Sequence, residues 1–86
     1  MTYEIYATTR FLKEFEKLGE DIRERIKEKV KELCEEPEKG VALTAGLKGK
    51  YRLRIGDYRV IYEIRHSEKR IYLLAVGHRS KIYERK

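Results

Sequence analysis

Four arginines carry the chemistry this sequence can do. Arg52 and Arg54 precede a Gly56-Asp57 pair, Arg59 follows it, and Arg79 lies near the end of the last apolar alternation. Read as a hairpin turning at Gly56-Asp57, the stretch YRLRIGDYRVIYEIR sets Arg54 directly across from Arg59. Like charges opposite each other weaken a strand pair by about a few tenths of a kcal/mol. A guanidinium is a planar fork that matches phosphate oxygens and stays charged at any working pH. The repulsive pair is therefore read as a cost accepted for binding a polyphosphate. Lysines interspersed with glutamates would make a better merely solvated face. Tyr83 lies four residues after Arg79. One helical turn would put the two on the same side, where a tyrosine can stack on a base or, with its pKa pulled down by the cations, exchange a proton.

The elements that must hold these side chains follow from the apolar pattern. Tyr3, Ile5 and Ala7 alternate with Thr2, Glu4 and Tyr6, which predicts a short first strand. Thr8 or Thr9 caps a helix whose apolar face is Phe11, Leu12, Phe15 and Leu18, with Gly19 as its expected terminator. Acidic Glu20-Asp21 opens a second helix, whose stripe is Ile22, Ile26, Val30, Leu33 and Cys34. A Gly-bearing loop over 39–49 leads to three strands near 51–55, 58–65 and 71–78. The fold class is α+β: an N-terminal strand, a two-helix hairpin and a three-stranded antiparallel meander, with the helices on one face of the sheet.

Matching apolar faces predicts the pairs Ile64:Tyr72, Tyr62:Leu74, Val60:Val76 and Arg59:Gly77. One face then holds Leu53, Ile55, Tyr58, Val60, Tyr62, Ile64, Tyr72, Leu74 and Val76 and packs on the helices. The other holds Lys50, Arg52, Arg54, Arg59, Ile61, Glu63, Arg65, Leu73, Ala75, Gly77 and Arg79. Arginines 52, 54, 59 and 79 converge at one end of this uncovered face, and Gly77 leaves a space among them.

Composition sets the bounds. Eighty-six residues make one domain, 1–86, which is globular despite 42% charged residues. No apolar run reaches the ~18 residues of a membrane span and no secretory pattern opens the chain, so a cytoplasmic protein is expected. The formal charge of +6 is uneven: residues 1–46 hold nine Lys/Arg against eleven Asp/Glu, and residues 47–86 twelve against four. Such asymmetry points to a polyanionic partner. The absence of Asn and Gln beside abundant Lys and Glu suits a thermophile, or an idealised designed sequence. Neither GxGxxG nor GxxxxGK[ST] occurs, and His66, His78 and the lone Cys34 do not make a metal site; no cofactor is expected. Cys34 reads as a buried, inert thiol and His78 as an edge or core histidine facing the helices.

The order strand, helical hairpin, meander, with LKGKYRLRIGDYRVIYEI and then VGHRSKIY, resembles the RelE toxins of the RelE/ParE superfamily, over nearly the whole chain and most specifically over 47–83. The resemblance implies a compact ribonuclease that enters the ribosomal A site and cuts messenger RNA, and a RelB-like antitoxin that wraps and silences it. It places functional residues on Lys48, Arg52, Arg54, Arg59, Arg79 and Tyr83. The best-known bacterial members carry lysines at positions 52 and 54; members that resemble this chain more closely carry R-x-R, and the chain looks like an archaeal or thermophile member.

With no metal-ligand cluster in the sequence, the expected nucleophile is the RNA's own 2′-hydroxyl, which yields a 2′,3′-cyclic phosphate and a free 5′-hydroxyl. Arg54 and Arg59 are assigned to the scissile phosphate, Arg79 to the phosphate or the leaving group, and Tyr83 to stacking on or orienting the substrate. Arg52 and Lys48, with Lys50, Arg65 and Lys81, are expected on flanking RNA backbone. Two other readings stay open: a ParE-like gyrase poison, and a non-catalytic RNA- or ribosome-binding member of the same fold.

Overall fold

The computed structural model describes residues 2–43 and 49–82; Lys48 and Tyr83, both expected at the site, lie outside the described residues. In chain order come β1 (Glu4–Ala7), α1 (Thr9–Glu16), α2 (Glu20–Lys31) running into a 3-10 turn at Glu32–Cys34, β2 (Val41–Ala42), β3 (Lys50–Ile55), β4 (Tyr58–Arg65) and β5 (Arg70–His78). The strands form one sheet ordered β1-β5-β4-β3-β2. Only the β1–β5 pair is parallel.

Local chemistry explains the helical hairpin. The Thr8 hydroxyl accepts from the Phe11 N–H at 3.2 Å, capping α1, and donates to the Leu73 carbonyl at 2.8 Å, which pins the helix start to β5. Gly19 does not terminate α1 as expected: that helix ends at Glu16 with Lys17 as its C-cap, and Gly19 is the extended residue that opens α2. Glu20 and Asp21 follow in the first turn of α2, where carboxylates oppose the helix dipole. Of the predicted stripe, Ile26, Val30 and Leu33 are buried, while Cys34 is half-buried. These side chains and Phe11 meet Leu53, Ile55, Val60, Tyr62, Ile64 and Val76 of the sheet in one apolar core. The helices therefore cover one face only, as the alternation requires.

The loop expected over 39–49 contains β2, whose Val41 pairs with Arg52 and Ala42 with Tyr51. The buried Tyr62 phenol fixes its approach: the hydroxyl donates to the Pro37 carbonyl at 2.8 Å and accepts from the Gly40 N–H at 3.0 Å. A Cβ at position 40 would sit 2.5 Å from the Arg52 carbonyl oxygen, so only glycine lets this segment close on β3. Two residues are too few for the alternation pattern to betray a strand.

The meander follows the expected register on one side and departs from it on the other. All six β3–β4 pairs run from Lys50 opposite Glu63 to Ile55 opposite Tyr58, and Gly56 turns the hairpin at φ +59. Between β4 and β5, Arg59 faces Gly77 and Val60 faces Val76, also as expected. Beyond Ile61 the register shifts, so that Tyr62 faces Leu73 rather than Leu74 and Ile64 faces Ile71 rather than Tyr72. Leu74 is the extra residue of a β-bulge. The shift reverses three face assignments: Leu73 is buried in the core, 4% exposed, and not on the arginine face, while Tyr72 and Leu74 leave the core.

Candidate functional site

The face without helices carries the site, and its two ends differ. At the hairpin end, Arg54 lies opposite Arg59, and Arg59 lies opposite Gly77, so one rung of the sheet reads Arg-Arg-Gly across three strands. Arg52 is one rung-pair away, opposite Ile61. The Arg79 N–H donates to the Asp57 carbonyl at 2.8 Å, which ties the end of β5 to the hairpin turn and brings Arg79 to the same corner. Its Nε is 3.9 Å from the Asp57 carboxylate, an exposed and weak ion pair. Four expected residues, 52, 54, 59 and 79, are thus gathered by backbone pairing alone.

Arg59 stands apart among them. The Arg59 Nε is buried and has no hydrogen-bond partner among the described residues. Leaving a buried donor unsatisfied costs about 1–3 kcal/mol, more for a charged group. The apposition of Arg54 adds about a few tenths of a kcal/mol. A phosphate oxygen held between the two guanidinium groups would neutralise the pair, and would satisfy the donor once Arg59 turned its Nε outward. Gly77 supplies room for it: a Cβ built there meets nothing nearer than Ile82 Cβ at 3.9 Å. Arg54 is exposed at the sheet margin and also borders a cleft toward α2, with Arg25 and Glu28 on its other wall.

Other expected RNA contacts are placed differently. Lys50 and Arg65 both serve Glu63, at 3.9 Å and 2.8 Å, and Arg65 also reaches Glu68 at 4.0 Å. The hydrogen bond to Glu63 raises the Arg65 pKa, so this carboxylate holds the guanidinium in place. Lys81 borders a cleft of about 330 Å³ between the end of β5, including Gly77 and His78, and Arg10, Glu14 and Lys17. His78 packs edge-on against Tyr58 at 5.5 Å, and its Nδ1 meets the Ser80 hydroxyl at 2.8 Å. His66 contacts the Tyr3 hydroxyl at 2.8 Å and Glu38 at 3.4 Å. Among the described residues no group of three His, Cys, Asp or Glu side chains is arranged to hold a metal.

The middle of this face is not open, contrary to the uncovered sheet expected. Ile61 and Ala75, which face each other, are 7% and 4% exposed and lie outside the helix-side core. Past them stands an aromatic group that the expected register hid. Tyr72 stacks on Tyr6 with ring centroids 5.6 Å apart, Arg65 lies over the Tyr72 ring and Arg70 over the Tyr6 ring. The parallel pairing of β1 with β5 sets Tyr6 beside Tyr72, and the bulge, invisible to alternation, turns both to this side.

Comparison with known proteins places this geometry. Residues 5–83 match the family model of the ParE toxin of the type II toxin–antitoxin system parDE. The chain is 32% identical to the mRNA interferase toxin RelE of Escherichia coli K12, over 96% of this chain and 92% of that protein. Its fold is similar to the toxin–antitoxin complex RelBE2 from Mycobacterium tuberculosis, with a TM-score of 0.85 and 29% identity over 94% of this chain and 95% of that one. It is also similar to the archaeal RelE–RelB complex from Pyrococcus horikoshii, with a TM-score of 0.78 and 31% identity over 95% and 100%. No helix among the described residues is long and apolar enough to cross a membrane.

Proposed function

The chain belongs to the ParE/RelE family of type II toxins, and from that premise we propose that it is an mRNA interferase whose helix-free sheet face cuts message in the ribosomal A site. As a toxin of this class it has a RelB-like antitoxin as partner, and it works in the cytoplasm as one domain spanning 1–86. The observation that carries the catalytic reading is the Arg54–Arg59–Gly77 rung with its unsatisfied buried Nε.

The chemistry is phosphoryl transfer within the RNA. The 2′-oxygen bonds to phosphorus, the bond from phosphorus to the 5′-oxygen breaks, and a 2′,3′-cyclic phosphate and a 5′-hydroxyl result. Arg59 and Arg54 hold the non-bridging oxygens, where charge accumulates, and Arg79 takes the phosphate or the departing oxygen. Arg52 and Lys48 hold flanking backbone, and Tyr83 stacks on or orients the substrate. None of the arginines accepts the 2′-hydroxyl proton, because a guanidinium is not deprotonated in proteins. A site rich in charge stabilisation and without a strong base among these residues is slow alone. Positioning by the ribosome supplies what it lacks, since holding reactants in line is worth up to ~7–11 kcal/mol.

A translation assay with purified protein, mapping message ends by primer extension, tests this. Codon-spaced cuts on ribosome-bound message are expected. The gyrase reading has one observation in its favour, the ParE description of the matching family model. Accumulated gyrase cleavage complexes with intact message would establish it, and RNA binding without cuts would leave only a binding module.

A further inference from the structure

The aromatic group at the far end of the helix-free face has no part in the reaction described above. Tyr6 projects from the edge strand β1 and is 41% exposed. Its ring plane is 29° from that of Tyr72 on the neighbouring strand. The Arg70 guanidinium is 5.0 Å from the Tyr6 centroid, and the Arg65 guanidinium 5.3 Å from that of Tyr72. Each planar group is held by a polar contact of its own. The Tyr6 hydroxyl donates to Glu4 at 2.9 Å, Arg70 donates to the Tyr72 hydroxyl at 3.4 Å, and Arg65 donates to Glu63 at 2.8 Å. The Glu4 hydrogen bond raises the Tyr6 pKa, so the phenol stays neutral.

We propose that the Tyr6–Tyr72 stack with Arg65 and Arg70 is a base-stacking platform that holds a nucleotide of single-stranded RNA flanking the cleaved phosphate. The inference rests on the ribonuclease reading for its substrate class and extends it to residues that reading leaves idle. Three observations favour RNA over a protein partner here. Rings and guanidinium planes are the surfaces on which unpaired bases stack, and they need no complementary sequence. The platform shares its face with the Arg54–Arg59 rung, with the buried Ile61 and Ala75 between them. Along β4, Arg59 and Arg65 are six residues apart, roughly 20 Å at the rise of a strand, a span that an extended strand of a few nucleotides bridges. Of the carboxylates nearby, Glu63 and Glu68 are each paired with arginine, which weakens their repulsion of an incoming strand.

The test measures binding of a labelled, 2′-O-methylated RNA of about eight nucleotides, within the usual single-strand site sizes, to the whole protein and its variants. Tyr6→Leu keeps an apolar side chain on β1 but removes the ring, and thermal melting checks that it folds. It should weaken the oligomer by about ten- to a hundredfold, the range for losing one stacked base, with the slope of affinity against salt unchanged. Tyr6→Phe, which keeps the ring, should bind within about twofold of the parent under the same stacking argument. Oligomers with one abasic position, tried in turn, should include one that weakens the parent and not Tyr6→Leu. The platform is overturned if the folded Tyr6→Leu protein binds the oligomer like the parent, or if the parent does not bind it at all. A Tyr6→Leu protein that keeps its RNA affinity and loses its antitoxin would make the stack an antitoxin anchor instead. Intact message on ribosomes, with oligomer binding still dependent on Tyr6, sinks the ribonuclease reading and leaves the platform standing.

Discussion

Arginines stand at both ends of the same sheet face, and the fold treats the two sets in opposite ways. At the far end Arg65 is bonded to Glu63 at 2.8 Å and lies within reach of Glu68, while Arg70 covers one ring and hydrogen-bonds another. Those charges are satisfied by the protein itself. At the hairpin end Arg54 faces Arg59, the Arg59 Nε is buried without a partner among the described residues, and the nearest carboxylate to Arg79 is 3.9 Å away. A chain with fifteen acidic residues had the means to pair these as well. Net charge alone would not have separated the ends. What separates them among the described residues is the like-charge Arg54–Arg59 pair and the unsatisfied Arg59 Nε, and these mark that rung as the place we propose for the phosphate.

The comparison depends on the register that assigns side chains to faces, and the largest predicted effect tests it. Leu73→Asp puts an unpaired carboxylate into the core and should abolish cooperative folding, while Leu74→Asp, on the bulge, should leave a folded protein. Circular dichroism melts of the two read the difference directly. Equal losses would restore the unbulged pairing and return Tyr72 to the core.

Next in size is the hairpin end itself. Arg59→Ala removes one preorganised donor from the scissile phosphate and should lower message cleavage on ribosomes by about a hundredfold or more. Its melting temperature should hold or rise, because a like-charge pair and an unsatisfied donor disappear together. Arg59→Lys should recover only part of the activity, since an ammonium keeps the charge without the fork. An Arg59→Ala protein that unfolds would make the residue structural, and one that cuts like the parent would remove it from the site.

A smaller effect is expected where the sheet margin is fastened. Tyr62→Phe removes the hydroxyl that joins Pro37 to Gly40 and leaves the ring packed. The loss of two hydrogen bonds to a buried phenol should cost about 1–2 kcal/mol, or roughly 4–8 °C in Tm for each kcal/mol in a domain this size. Proteolysis between residues 36 and 43 should accelerate with it. An unchanged Tm and digestion pattern would mean that β2 is held by other contacts.

How much of this was legible in the sequence depends on how regular each element is. The β3–β4 hairpin was readable in full because Gly56-Asp57 fixes the turn and six alternating residues on each side fix the pairing. The arginine rung, which rests on that hairpin and on Arg59:Gly77, was therefore readable too. Alternation fails at a bulge, since one inserted residue flips everything after it, and the sequence YLLAV around Leu74 gives no charged marker of the flip. Tyr72 was misplaced for that reason, and with it the aromatic end. The pairing of Lys50 and Arg65 with Glu63 was a matter of distances between side chains on neighbouring strands, which composition cannot supply. Gly19 was misread because a glycine between two helices serves equally as the stop of one and the start of the other.

The smallest predicted effect converts one end toward the other. Glu63→Gln keeps the size of the side chain and removes the charge shared by Lys50 and Arg65. Surface pairs of this kind contribute about 0–1 kcal/mol, and Arg65 is half exposed, so the melting temperature should fall by a few degrees at most. The freed cations add to the positive field of the face, and affinity for single-stranded RNA should rise by a few-fold at low salt. The gain should fade as salt approaches about 1 M, where the Debye length is only about 3 Å. Cleavage should change much less than with Arg59→Ala, because the far end holds flanking RNA and not the reacting phosphate. If Glu63→Gln instead lowered cleavage as far as Arg59→Ala, the two ends would not be separable, and the pairing of Arg65 would be a condition of catalysis itself. An RNA affinity that stays flat at low salt would show that Arg65, once released from Glu63, stays on the Tyr72 ring or turns to Glu68 and never faces the strand at all.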